Sequence, residues 1–267
     1  MSADARHAPP ATSAFELPLQ RLSWRDPFRW LLLGWRDFRR CPGIGLFYGA
    51  AFMAMGWALL KVFERAPAYV LALSAGFLLV GPFLFLGLYH ASRRLERGER
   101  PDLGDSLLAW EDHLGALGIF AFALLVLELL WARASLVVFA LSFDGMPDFK
   151  GSLLALLNPD NLSFIVAYLC VGGVFAALIY SVSVIAMPMI LDRATDAITA
   201  ALISMRLVLT QSGPMLLWGL LIALLGALAM LPWFAGLLVI GPVLGHASWH
   251  AYRAAVGPAP ELTESAR

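Results

Sequence analysis

The chain has 267 residues, 60% of them apolar and 14% charged, with a mean hydropathy of +0.75 and a formal net charge of zero. Soluble domains carry about 25% charged residues, so a water-soluble globule is excluded and lipid must be the solvent for most of the chain. The balanced charge also excludes a general attraction to nucleic acid.

Residues 1–20 hold Pro, Ala and Ser without an apolar segment, which predicts a disordered cytoplasmic tail and no cleavable signal peptide. Residues 21–42 predict an amphipathic helix. In SWRDPFRWLLLGWRDFRR, Asp26 can cap and Pro27 suits the first helical position. At about 100° per residue, Arg29, Arg36, Arg39 and Arg40 fall within an arc of roughly 100°. Phe28, Trp30, Leu31, Trp35 and Phe38 lie on the other side. This describes a helix in the membrane interface, with Trp30 and Trp35 in the acyl boundary and the four arginines on anionic lipid headgroups.

Residues 43–253 predict an all-α transmembrane bundle of six helices, at 43–61, 68–90, 114–132, 162–190, 213–231 and 233–252. Each is long enough for a hydrocarbon core of roughly 30 Å. After the third, ASLVVFALSF either extends that helix or lies in the interface. Residues 144–161 carry a short apolar helix between turn signals, read as a surface or re-entrant element on the outer side. Leu231-Pro232-Trp233 makes a tight turn between the last two spans, and residues 254–267 form a second cytoplasmic tail.

Lys and Arg in the short loops set the orientation. Arg21, Arg25, Arg29, Arg36, Arg39 and Arg40 precede the first span. Arg93, Arg94, Arg97 and Arg100 follow the second, Arg193 and Arg206 the fourth, and Arg253 the sixth. The opposite side offers Lys61, Arg65, Arg133 and Lys150, so both termini are expected in the cytoplasm. Cys41 and Cys170 then sit on opposite sides, which argues against a disulfide, and no CxxC pattern is present.

Spans two and six repeat each other at an offset of 160 residues: Gly76, Leu78, Gly81, Pro82, Leu84, His90, Ala91 and Arg93 match Gly236, Leu238, Gly241, Pro242, Leu244, His250, Ala251 and Arg253. Span four carries Pro188 near its cytoplasmic end. The simplest organisation is three hairpins, with Pro82, Pro188 and Pro242 as candidate kinks around an axis. The GxxxG pairs Gly45/Gly49 and Gly241/Gly245, and the small residues at 172, 173, 176 and 177, predict close helix packing inside the bundle.

Groups capable of chemistry are few. Glu128 and Arg133 lie in or just after span three, near its expected outer end, where they can pair or snorkel. His90, Arg93, Asp192, Arg193, His246, His250 and Arg253 gather at the expected cytoplasmic mouth. His246 and His250 stand one helical turn apart, a spacing that suits either interface anchoring or ligation. No phosphate loop, HExxH motif or nucleophile-base-acid set occurs. No catalytic, cofactor-binding or metal-ligating residue is therefore assigned, and the chain is not expected to be an enzyme.

The stretches GWRDFRRCPGIGLFYG, GFLLVGPFLFLGLYHASRRLERGERP, SVIAMPMILDRATDAITAALIS and LLVIGPVLGHASWHAYR resemble a family of bacterial integral-membrane proteins built on a domain of unknown function. The resemblance covers most of residues 30–256 and implies a multi-pass protein of the bacterial inner membrane. Some members are labelled cytochrome c oxidase subunits. The catalytic subunit of that enzyme needs six metal-binding histidines and about twice as many spans, whereas this chain has five histidines and no adjacent pair.

The expected role is therefore a non-catalytic accessory, scaffold or envelope-associated factor, with membrane lipids and a membrane-protein partner or second copy as its contacts. A small-solute transporter or channel is the alternative, and it requires a polar, water-accessible cavity between the kinked helices. A haem- or metal-binding accessory of a respiratory complex is the second alternative.

Overall fold

The computed structural model describes residues 17–65, 70–142 and 162–258; the element expected at 144–161 lies outside them. The described residues are helical, with no strand. In chain order the helices are α1 (Asp26–Arg40), α2 (Pro42–Arg65), α3 (Val70–Glu96), the short α4 (Leu103–Leu107), α5 (Leu114–Ser142), α6 (Leu162–Ser183), α7 (Ala186–Arg193), α8 (Ala197–Thr210), α9 (Ser212–Met230) and α10 (Leu237–Val256). A 3-10 turn at Glu111–His113 leads into α5.

Four stretches of the described chain are long and apolar enough to cross a membrane: Pro42–Arg65, Leu103–Ser142, Leu162–Arg193 and Ser212–Met230. Their outward faces are what lipid requires. On α5 and α6 only Leu117, Phe120 and Phe164 are buried, because an apolar solvent gives Leu and Val no reason to turn inward. The expected spans at α3 and α10 are not among the four. The second half of α10 carries His246, Ser248, His250 and Arg253 and is sheathed by protein: Leu244 to Ala247, Trp249, Ala251 and Tyr252 are all buried.

α10 is the axis of the fold. It packs on α1, α2, α3 and α9, while α2 packs on α3 and α5 on α6. Two glycines make this closeness available. A Cβ on Gly34 of α1 would stand 2.5 Å from the Val243 carbonyl oxygen, and one on Gly49 of α2 would strike the Leu238 backbone. The GxxxG pairs are thus spent inside the bundle. Gly45 meets Phe38, Gly241 meets Phe52, and Gly245 meets Leu88 and Phe85.

α1 corrects the expected lipid-interface assignment of Trp30. This side chain is 1% exposed and stands edge-on to Trp218 at 5.4 Å. Pro27, Trp30, Gly34, Asp37 and Phe38 form the buried face. Phe28, Leu32 and Trp35 remain exposed, as do Arg29, Arg36, Arg39 and Arg40. Asp26 opens the helix instead of capping it, its carboxylate accepting from Ser23 N at 2.6 Å.

Residues 17–22 and 254–256 are tied to the bundle. Gln20 N donates to Ala255 O at 2.8 Å and Arg206 Nη1 to Leu17 O at 3.1 Å. Leu22 N donates to Gln211 Oε1 at 2.9 Å, so residues 17–22 strap across α8, α9 and α10. α10 itself continues to Val256.

At Pro188 the fourth expected span breaks instead of kinking. Proline has no N–H, and its ring crowds the carbonyl four residues back, here Val184. α6 ends at Ser183 and α7 restarts at Ala186. The buried Ser204 repairs the gap, donating to Ser181 O at 2.7 Å and accepting from Ile185 N at 3.4 Å. Helices α3 and α10 run through Pro82 and Pro242. The α9–α10 turn places Trp233 and Phe234 at positive φ, and the Trp57 indole donates to Trp233 O at 2.6 Å.

Candidate functional site

Two features stand out: a buried polar cluster at one end of α10 and a cavity among α3, α5, α6, α9 and α10. The cluster grows from Asp37, whose backbone position on the inner face of α1 drives its carboxylate between α3 and α10. Asp37 is 5% exposed. Its Oδ2 accepts from Ser92 Oγ at 2.9 Å and pairs with His250 Nε2 at 2.8 Å. Ser92 spends its only proton on Asp37, so its oxygen accepts from His246 Nδ1 at 2.7 Å. His246 Nε2 is buried and makes no hydrogen bond of good geometry among the described residues, with the Leu88 backbone as its nearest polar influence. Burial raises the Asp37 carboxyl, but the hydrogen bonds and charge of His250, with Ser92, overcome it and hold the group below its usual value. The neighbouring Cys41 thiol is pushed up to about 11 by burial and by Asp37.

Around this centre lies a half-buried ring of ion pairs. Arg253 binds Glu96 through Nε and Nη2 at 3.0 Å each and reaches Asp192 at 3.5 Å. Tyr252 donates to Asp192 Oδ2 at 2.8 Å and accepts from Arg193 Nε at 3.0 Å. Arg93 donates to Leu191 O at 3.0 Å and stands 4.0 Å from Asp192. Trp249 donates to Glu96 Oε2 at 3.2 Å. The ring ties α3 and α7 to the end of α10.

Of the residues expected at the mouth, Arg93, Asp192, Arg193 and Arg253 join this ring, and His246 and His250 join the centre. His90 joins neither. Its Nδ1 lies 3.1 Å from Asp105 O, toward α4, so the repeat-related His90 and His250 anchor to different elements. Ser92 is fully buried with its hydroxyl turned to Asp37, so the Ser-His-Asp grouping latches α1 to α3 and α10. Among the described residues no cluster of His, Cys, Asp and Glu could hold a metal ion. Sequence reasoning missed Asp37, Ser92, Glu96 and Tyr252. The signal for Asp37 was present, since Trp30, Gly34, Asp37 and Cys41 recur at helical spacing on one face.

The cavity has a volume of about 390 Å³. Phe77, Phe85, Leu124, Val184, Met187 and Ile222 supply apolar wall, and Pro82 borders it from α3. Pro188 stands beside the wall residue Met187, and Pro242 is packed away against Gly45. Most polar groups lining the cavity are already engaged: Tyr180 donates to Met215 O at 2.6 Å, Ser183 to Ile179 O at 2.6 Å and Ser248 to Leu244 O at 2.8 Å. Tyr89 hydrogen-bonds Ser248. Glu128 is the remaining one, and among the described residues it has no hydrogen-bond or ion-pair partner. Its place along the helix is a correction. α5 runs on through ASLVVFALSF to Ser142, so Glu128 lies at the middle of that helix instead of near its outer end, about 21 Å from each terminus at 1.5 Å per residue. Arg133, its expected partner, is exposed and makes no ion pair with it.

Apolar helices, a lipid-facing exterior and a polar cluster confined to one end define a polytopic α-helical membrane protein. Residues 70–192, from α3 through most of α7, match the family described as Predicted integral membrane protein (DUF2189), a domain of unknown function. The match is narrower than the resemblance expected over residues 30–256. It includes Pro82, Ser92, Glu96, Glu128 and Asp192 but neither α1 nor α10. No curated protein and no solved structure matches the chain.

Proposed function

We propose that the protein is a six-span protein of the bacterial inner membrane whose central cavity takes up a small apolar solute, as a transporter or solute-binding component. The observation carrying this reading is the cavity itself, about 390 Å³ between helices that an apolar bundle would otherwise close. The transport alternative expected a polar cavity, and the largely apolar wall redirects it to an apolar solute. An accessory or scaffold role has no such observation behind it, because the exposed Leu and Val faces are those any span turns to lipid.

The six-span topology has its own support. α3 has 27 residues and α10 has 20, enough for about 30 Å of hydrocarbon, and the polar half of α10 is shielded by its neighbours. The consecutive pairs α2–α3, α5–α6 and α9–α10 all pack, as three hairpins require. The Gln20–Ala255 bond holds the two ends of the described chain together, which favours an even number of crossings. The arginine distribution favours the cytoplasm for that shared side, with Arg29, Arg36, Arg39 and Arg40 of α1 exposed toward anionic headgroups. No catalysis is proposed.

The test uses a filler that the fold tolerates. Gly81 lines the cavity, and a Cβ there meets nothing within 4 Å. Equilibrium dialysis of methyltriphenylsilane against the protein in nanodiscs, with empty nanodiscs as blank, should reveal one saturable site per chain that Gly81→Phe removes. Uptake no greater than the blank, or equal uptake by Gly81→Phe, contradicts the reading.

A further inference from the structure

A carboxylate in the middle of a membrane helix, facing an apolar cavity and lacking a partner, is costly to keep. Among the described residues Glu128 is in that position, and no Lys, Arg or His lines the cavity with it. The other polar groups there hold bonds already, so the one unmet electrostatic demand in the cavity is for positive charge. The walls add to that demand. Phe77, Phe85, Tyr89 and Tyr180 present aromatic rings to the space, and ring faces attract cations most strongly where water is excluded. Phe85 and Tyr89 stack at 6.2 Å with planes 15° apart, which fixes one side of this aromatic lining.

We propose that the cavity is a binding site for a lipophilic cation, an apolar molecule carrying one delocalised or shielded positive charge, with Glu128 as its counter-ion. The inference rests on the cavity taking up an apolar solute and adds the charge of that solute. Apolar bulk satisfies the walls, while the charge meets the carboxylate in a medium where attraction is only weakly screened. A strongly hydrated ion would lose its water shell for one carboxylate and a wall of hydrocarbon, which excludes simple metal ions as the occupant.

Methyltriphenylphosphonium and methyltriphenylsilane have nearly the same shape and differ in charge, so together they separate the two claims. Wild-type protein in nanodiscs should hold the phosphonium about tenfold or more tightly than the silane. Glu128→Gln should erase that preference and still bind the silane, and Glu128→Asp should restore part of it. An unchanged elution profile and melting transition certify the fold of each variant. Equal binding of both probes by wild type, or a preference that survives Glu128→Gln, overturns the cation site while leaving the apolar site standing. Binding of neither probe overturns both.

Discussion

Asp37 accepts from Ser92 and pairs with His250 while almost wholly enclosed, so its removal takes a partner from the buried Ser92 hydroxyl and from the partly buried His250 ring. Asp37→Ala should cost about 3 kcal/mol, read as a lower melting temperature in detergent. Asp37→Asn should cost less, because the amide oxygen still accepts. The pH dependence follows from the direction of the shift. The folded carboxyl titrates below its unfolded value, so its contribution is complete above the unfolded value near pH 3.9. It is lost as pH falls through the lower folded value. Melting curves from pH 6 down to 3 should show wild type losing an increment that Asp37→Asn lacks; parallel curves would count against the latch. This grouping was only half legible in the sequence. His246 and His250 announced themselves by spacing and Arg253 by the repeat. Asp37 was hidden in a run of arginines, where an acidic residue reads as surface charge.

Among the elements, α1 separates what pattern reveals from what it hides. An apolar-polar division of its sequence finds the arginine face but cannot say whether an aromatic on the other side meets lipid or protein, since both environments favour the same residue types. The structure divides that side in two, burying Trp30 against Trp218 and leaving Trp35 at 44% exposure. Trp30→Ala should therefore destabilise by about 3–5 kcal/mol, whereas Trp35→Ala should change stability by less than about 0.5 kcal/mol. Equal effects of the two would restore α1 to a simple surface helix. Gly34→Ala belongs to the same contact. Its methyl would press on the backbone of α10, which cannot rotate away as a side chain would, so α1 should detach and protease should cut near Trp24 and Arg25 more readily than in wild type. Pro188 was legible as a perturbation but not as a break, because the break depends on Ser204, nineteen residues after Ile185, to satisfy the backbone it frees. The placement of Glu128 turned on the helix continuing to Ser142, and periodicity is silent about where an all-apolar helix stops.

At the scale of the whole molecule, composition alone announced lipid as the solvent, and helices follow because apolar runs of about 20 residues satisfy their own backbone there as helices, where a barrel strand needs about half that length. The sequence showed six apolar runs but not which would be wrapped by protein; α10 holds its histidines in its polar second half because α1, α2, α3 and α9 enclose it. The cavity was not legible in the sequence, since Glu128 apart its wall is made of residues that a packed core would also use. Its occupant is the central claim of this account. Photolabelling membranes that contain the protein with an apolar diazirine, followed by mapping of the modified residues, tests that claim most directly. The account predicts saturable labelling of Phe85, Leu124 and Ile222, suppressed by methyltriphenylphosphonium and by Gly81→Phe. Labelling confined to outward residues such as Leu129 and Leu220, indifferent to both, would contradict it.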